Sequence, residues 1–276
     1  MHSLHLLLAA TLTLSQGTAL AQSPAQSYQP EIGQLGKDVV WVPTPPRLIQ
    51  RMLQMADTSS KDVVVDLGSG DGRIPIAAAK LFGARSIGVE FDPDLVQYSI
   101  RAAAREGVSE KVRFAREDFF QTDLSGATVV TLYVSPTVML QLRPRLLALK
   151  PGTRVASHQF TMGDWEPDEM ASVENVPAYL WVVPASAAGP WQLTLGEDTY
   201  ALMLSQEYQM LRGSAGRGGR HAPVIGGRLR GEMIRFSFAD NNGDVRMFSG
   251  RVSGERMEGT ARAYGQTDLL WSARQQ

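Results

Sequence analysis

A chain of 276 residues is long enough to bury one large core or two modest ones. Its 27 basic and 28 acidic side chains nearly cancel, so no global field draws it to nucleic acid or to an anionic membrane. The absence of cysteine excludes disulfides, thiolate metal sites and cysteine nucleophiles together, and no His/Asp/Glu cluster has metal-ligand spacing.

Residues 1–21 read as a signal peptide. Leu4 to Leu14 is apolar but short for a bilayer span, and Ala19-Leu20-Ala21 offers a small-residue cleavage site. Export to a periplasmic compartment follows from that peptide. The alternative is a cytoplasmic chain, because no lysine or arginine precedes the apolar run. No membrane span is expected beyond this peptide. Residues 22–37 are polar with Pro and Gly and read as a linker. Thr44 is the expected N-cap of a helix with Pro45 and Pro46 in its first turn. Leu48, Ile49, Met52, Leu53 and Met55 carry that helix to about Ala56. Trp41, beside the prolines, either packs the front of a sheet or closes a pocket.

Val63 to Leu67 is a short apolar run of the kind that forms a buried parallel strand. It ends in Asp66-Leu67-Gly68-Ser69-Gly70-Asp71-Gly72, and a helical stretch starts at Arg73. Glycines there permit positive φ, and the amides of the helix start add a positive potential. The phosphate-binding fingerprint is G-x-G-x-x-G. Here the spacing is G-x-G-x-G, preceded by an acid that would repel a pyrophosphate and welcome a cation. A second strand, Arg85 to Val89, is followed at once by Glu90, which suits two ribose hydroxyls. A third, Lys111 to Ala115, precedes Glu117 and Asp118. Acids after three successive strands fit a sulfonium nucleoside better than a nicotinamide dinucleotide.

The helix after Asp92-Pro93 buries Leu95, Val96, Ile100 and Ala103 and stops at Gly107. Ala127 to Val134 is a fourth strand. Ser135-Pro136 opens another helix, which Pro144 is expected to kink or split. Thr153 to Phe160 is a fifth strand, and Ala171–Val176 and Tyr179–Val183 are two more, parted by Pro177. The fold class is therefore α/β: a Rossmann-like, doubly wound, mostly parallel sheet with a C-terminal antiparallel hairpin, over residues 38–183. Residues 184–190 read as a second linker. Residues 191–276 carry evenly spaced strands and read as a small all-β sandwich or barrel. Tyr200 to Leu211 is expected as a single strand, and the basic, glycine-rich Arg212 to Arg220 as a flexible hairpin loop.

The runs Asp66–Arg73 (DLGSGDGR), Gly88–Glu90 (GVE) and Glu117–Phe120 (EDFF) resemble those of the class I S-adenosylmethionine-dependent methyltransferases. The likeness extends over about residues 38–183. Within that superfamily the chain looks most similar to protein lysine methyltransferases without a SET fold. These act on nucleosomal histone lysine, the ATP synthase c-subunit and the adenine nucleotide translocase. Bacterial relatives share Trp41-Val42-Pro43-Thr44-Pro45-Pro46.

The resemblance implies S-adenosyl-L-methionine as cofactor. Asp66, Gly68, Ser69, Gly70 and Gly72 would surround its amino acid part, and Glu90 its ribose. Asp118 would take the adenine amino group, with Phe119 against the ring. Trp41 and Thr44 would close the front. Tyr133, Ser135 and His158 would form the acceptor side, His158 either assisting deprotonation or serving as a structural histidine. Asp71 and Arg73 are expected to face solvent, and Asp92 to cap a helix. A protein lysine is the expected acceptor, with no strong nucleic-acid signal. The alternatives are a small-molecule or nucleic-acid methyltransferase and a non-catalytic, exported nucleoside-binding protein. A nicotinamide-dependent oxidoreductase is disfavoured by the glycine spacing.

Overall fold

A computed structural model describes residues 28–276. The expected signal peptide and residues 22–27 of the first linker lie outside the described residues. The first domain contains α1 (Pro46–Met55), β1 (Val63–Leu67), α2 (Arg73–Phe82), β2 (Arg85–Glu90), α3 (Pro93–Arg105) and β3 (Val112–Arg116). It continues with β4 (Val129–Leu132), α4 (Pro136–Leu147), β5 (Arg154–His158), β6 (Glu169–Val173) and β7 (Val176–Val182). The sheet order is β3-β2-β1-β4-β5-β7-β6. Strands β1 to β5 run parallel, and β7 is antiparallel to both of its neighbours.

This order positions the site. From β1 the chain moves outward through β2 and β3, then returns to lay β4 on the other side of β1. The crossovers on the two sides diverge and leave a crevice beyond the C-terminal ends of β1 and β4. Below it the strands are sealed: Val64, Leu67, Val129, Val130 and Leu132 are all fully buried.

Several local expectations change. Thr44 does not cap α1; Pro45 holds the N-cap position and has no side-chain donor or acceptor to offer. Thr44 is spent instead on a bond to His158 across the sheet. Ile100 is exposed, and Ser99 takes the buried place on α3 because its hydroxyl donates to the Gly70 carbonyl at 3.0 Å. Pro144 lies inside α4, which remains one helix. The described part of the first linker is folded: Gly33 donates to the Trp41 carbonyl and Trp41 to that of Gln34.

The second domain comprises β8 (Gly189–Leu195), β9 (Asp198–Glu207), β10 (Met210–Arg217), β11 (Arg220–Pro223), β12 (Ile225–Arg230), β13 (Met233–Ala239), β14 (Val245–Ser253), β15 (Arg256–Ala263) and β16 (Leu269–Gln275). Successive strands pair except β11 with β12, and β16 returns to pair with β8, so the sheet closes. β11 and β12 both pair with β10 and are two halves of one interrupted strand. The result is an eight-position antiparallel barrel, the second of the two all-β architectures expected.

Alternate residues of β14 point inward. Phe236 and Phe248 stack at 4.9 Å, with Trp271 edge-on to both, so aromatic side chains fill the interior. The expected single strand from Tyr200 to Leu211 is two strands, turned at Tyr208, which has φ +52°. Arg212 to Arg220 is no loop. It forms most of β10, turns at Gly218-Gly219 and enters β11. The second linker is anchored, with Ala185 and Ala187 buried in the barrel core.

The two domains are tied by charge as well as by chain. Arg228 of the barrel pairs with Asp168 at 2.8 Å, and that carboxylate is 2% exposed. Asp168 also accepts from the Val182 amide. Removing the guanidinium strands a buried carboxylate, which costs about 3–5 kcal/mol at full burial. Arg228 is itself 30% exposed, so Arg228→Ala should cost about 2–3 kcal/mol after allowance for solvent screening. Urea unfolding measures this, and Asp168→Asn added to Arg228→Ala should recover part of the loss.

Candidate active site

The crevice is an open, concave cleft of the kind small-molecule sites occupy. Asp66, Gly68, Ser69, Gly70, Glu90, Asp118, Phe119 and Tyr133 line it from the sheet side, and Trp41 and Thr44 from the front. Ten of the thirteen residues expected at the site therefore meet there.

The chemistry starts at Asp66, on β1. Its side chain is almost wholly removed from water, and Thr131 on the neighbouring β4 donates to it at 2.6 Å. Burial pushes the carboxyl up to about 7, against the lowering effect of that hydrogen bond, and the charges of Asp71 and Glu90 push the same way. The hydroxyl of Ser69 is also buried and has no partner among the described residues.

The glycine turn is fixed from the next strand. The amides of Gly68 and Ser69 both donate to the Val89 carbonyl at 2.9 Å. Glu90 accepts from the amide of Gly70 at 2.9 Å, and from those of Phe91 and Asp92. The turn's amides are thus largely used in holding its own shape. Glycine is required for that shape. Gly70 has φ +54°, and a Cβ there would run into the Trp41 indole. Gly72 has φ +79°, and its Cβ would come within 2.6 Å of Phe114 and 2.8 Å of Ser99. Gly72 consequently shapes the turn from behind rather than lining the cleft.

At the far end Asp118 accepts from the Phe120 amide and from Lys37, the latter at 2.6 Å. The hydrogen bond from Lys37 leads in holding the Asp118 carboxyl below its ordinary range, and raises Lys37 in turn. The Lys37 ammonium also stands 5.1 Å from the centre of the Phe91 ring. Glu117, the neighbouring acid, accepts from Thr122 instead.

The opposite end is aromatic and uncharged. Tyr133 stacks on His158 with ring centres 3.7 Å apart, and Phe160 lies 6.1 Å from Tyr133. His158 is buried behind Tyr133 and shares a 3.0 Å hydrogen bond with Thr44. Burial takes it down to about 4, so it is neutral at physiological pH. Ser135 sits at the N-cap of α4, where its hydroxyl accepts from the Val138 amide.

Sequence reasoning missed Lys37, Asp71, Arg73 and Phe91 as cleft residues. Arg73 grips Asp71 through Nε and Nη2 and donates from Nη1 to the Thr44 carbonyl. It links the glycine turn to the front segment rather than facing solvent. Its place one residue after the last glycine was the available signal. Lys37 had none, since 81 residues separate it from Asp118. Asp92 caps α3 as expected.

Residues 66–169 match the family model described as the ANTKMT methyltransferase domain. A protein-lysine N-methyltransferase of Saccharolobus islandicus is 41% identical over 151 residues, which is 52% of this chain and 94% of that protein. The chain belongs to the class I S-adenosylmethionine-dependent methyltransferases. A solved RNA methyltransferase from Salinibacter ruber, in complex with S-adenosyl-L-homocysteine, is 49% identical. It covers 53% of this chain and 96% of that one, with a TM-score of 0.52. The ATP synthase c-subunit lysine N-methyltransferase of Xenopus laevis is 38% identical over 131 residues. The matched region is 47% of this chain and 57% of that relative's length. The family model ends before the barrel begins.

The methyltransferase cleft suits the cofactor of its family. Asp66 is a desolvated carboxyl with a single donor, which favours a neighbouring ammonium. Ser69 has a hydroxyl to give, Glu90 is held in place by three amides, and Asp118 lies at the far end of the cleft. A cation beside Asp66 favours its charged form, so cofactor affinity should rise as the pH climbs through about 7. Calorimetry at pH 6 and 8 reads this directly, and Asp66→Asn should flatten the slope. In the ligand-free protein the sign is opposite. The folded value lies above the unfolded one, so Asp66 withdraws stability as pH rises from about 4 to about 7.

Proposed function

We propose that this methyltransferase transfers a methyl group to the side-chain amine of a protein lysine. One contrast carries the reading: the cleft is lined with acids along the cofactor's length and is uncharged where Tyr133, neutral His158 and Phe160 stand. A lysine amine must be neutral to attack, and a low-polarity wall lowers its pKa in that direction. The Saccharolobus islandicus and Xenopus laevis relatives bear lysine methyltransferase names.

When bound, S-adenosylmethionine supplies a methyl group already activated by a sulfonium. The protein's task is then alignment and exclusion of water. Asp66 would meet the amino group, and Arg73, which lines the same cleft, would answer the carboxylate. Glu90 would accept from the ribose hydroxyls, and Asp118 and Phe119 would receive the adenine. Gly68 and Gly70 give the turn its close backbone, and Trp41 and Thr44 cover the front. Tyr133 forms the wall that the acceptor slides along. Ser135 and His158 position that wall from α4 and from behind. Export by the N-terminal segment belongs to the same proposal, and N-terminal sequencing of the mature protein tests it.

The Salinibacter ruber relative is named an RNA methyltransferase, which makes RNA the second reading. The near-zero net charge weighs against it. Incubating the protein with tritiated S-adenosylmethionine and a cell extract, then separating protein, nucleic acid and small molecules, decides between them. Label should enter protein and survive acid hydrolysis as methyl-lysine. Label confined to RNA would replace this reading with the other.

A further inference from the structure

At the acceptor end one residue has a backbone that its side chain does not favour. Gln159, the first residue after β5, has φ +69°. That is the left-handed region, which glycine enters freely and a glutamine avoids. The conformation is held by its own amide, which donates to the Pro177 carbonyl at 2.8 Å. It leaves the side chain exposed beside the cleft, where Gln159 Oε1 accepts from the Tyr133 hydroxyl at 3.3 Å. Because β4 and β5 are parallel neighbours, Tyr133 and Gln159 leave the sheet side by side at the same end.

We infer that Gln159 is the residue that receives the acceptor amine, an inference that rests on the amine reading above. The Tyr133 hydroxyl gives its hydrogen to Gln159, so its oxygen meets the cleft as an acceptor. Gln159 Oε1 has a second lone pair. An incoming amine can donate one N–H to each oxygen, and its own lone pair is then left for the methyl carbon. Both oxygens are uncharged, so neither holds the amine in its protonated form as a carboxylate would. The ammonium releases a proton to water. The nitrogen lone pair then forms the N–C bond as the C–S bond breaks, sulfur keeping that electron pair.

Two substitutions separate this role from a structural one. Gln159→Gly relieves the backbone and deletes the amide. Gln159→Glu keeps the shape and adds a charge. The substrate is the extract protein that the unaltered enzyme labels most strongly. Gln159→Gly should keep cofactor affinity and thermal stability and lose about ten- to hundred-fold in kcat/KM, the range of one hydrogen bond to a charged group. Gln159→Glu should move the acidic limb of the kcat profile to higher pH, since a carboxylate stabilises the bound ammonium. Full activity in Gln159→Gly with an unshifted Gln159→Glu profile would overturn the role of Gln159 and leave lysine methylation standing. Failure of the unaltered enzyme to label any protein would overturn both.

Discussion

A carboxyl group buried beneath a glycine turn is the constraint on which the first domain is built. Asp66 occupies the middle of the sheet, where β1 meets β4, and Thr131 is the donor it finds. An unpaired charge in that position would be prohibitive, so the group is held near its neutral form. The cost is accepted at the one place where the crossovers diverge and a ligand can approach. Glu90, one strand over, solves the complementary problem. It accepts from three amides, which hold the glycine turn to β2. Ser99 ties the same turn to α3 from beneath. The cleft floor is therefore braced on several sides before any ligand arrives.

The front of the cleft is made differently. Residues 33–44 have few apolar anchors and depend on polar contacts spread along their length. Lys37 holds Asp118 at one end, Trp41 rests on Gly70 in the middle, and Thr44 meets His158 at the other. Arg73 secures the Thr44 carbonyl as well. The Lys37–Asp118 pair is half-exposed, and such pairs are worth little in water. A planar base approaching Asp118 meets that ammonium over Phe91. The strongly held part of this segment thus lies at the His158 end of the cleft and the loosely held part at the Asp118 end.

The fold of the first domain was legible because its signals are local. Valine runs, alternate glycines and Asp-Pro or Ser-Pro helix starts each work within a few residues. What escaped notice depends on partners far along the chain. Thr44 looks like a cap until His158, 114 residues away, takes its hydroxyl. Ile100 looks like a core residue until Ser99 turns α3 toward Gly70. In the barrel, Arg212 to Arg220 has the composition of a loop. Its buried residues Ala215 and Gly216 are small, one in the barrel core and the other against the His221 ring, and a strand without large alternating side chains gives no period-two signal. The acids and glycines of the site could be found from their spacing. Lys37 and Gln159 could not, since one carries no motif and the other is marked only by its backbone angle.

The barrel's closure bears on what it can contribute. A meander of this size can enclose a ligand, but here the stacked rings of Phe236, Phe238 and Phe248, with Trp191 and Trp271, occupy the interior. Its core is separate from that of the sheet, and polar ties such as Arg228–Asp168 and Gln209 to the Glu166 carbonyl join the two. These ties converge on residues 164–168, between β5 and β6, and Tyr208 stacks on Trp165 in the same segment. That segment follows Gln159 and Phe160 directly. The barrel therefore grips the connection that leads away from the Tyr133–His158 end of the cleft, and its packed, closed body makes it a rigid support for that connection rather than a second pocket.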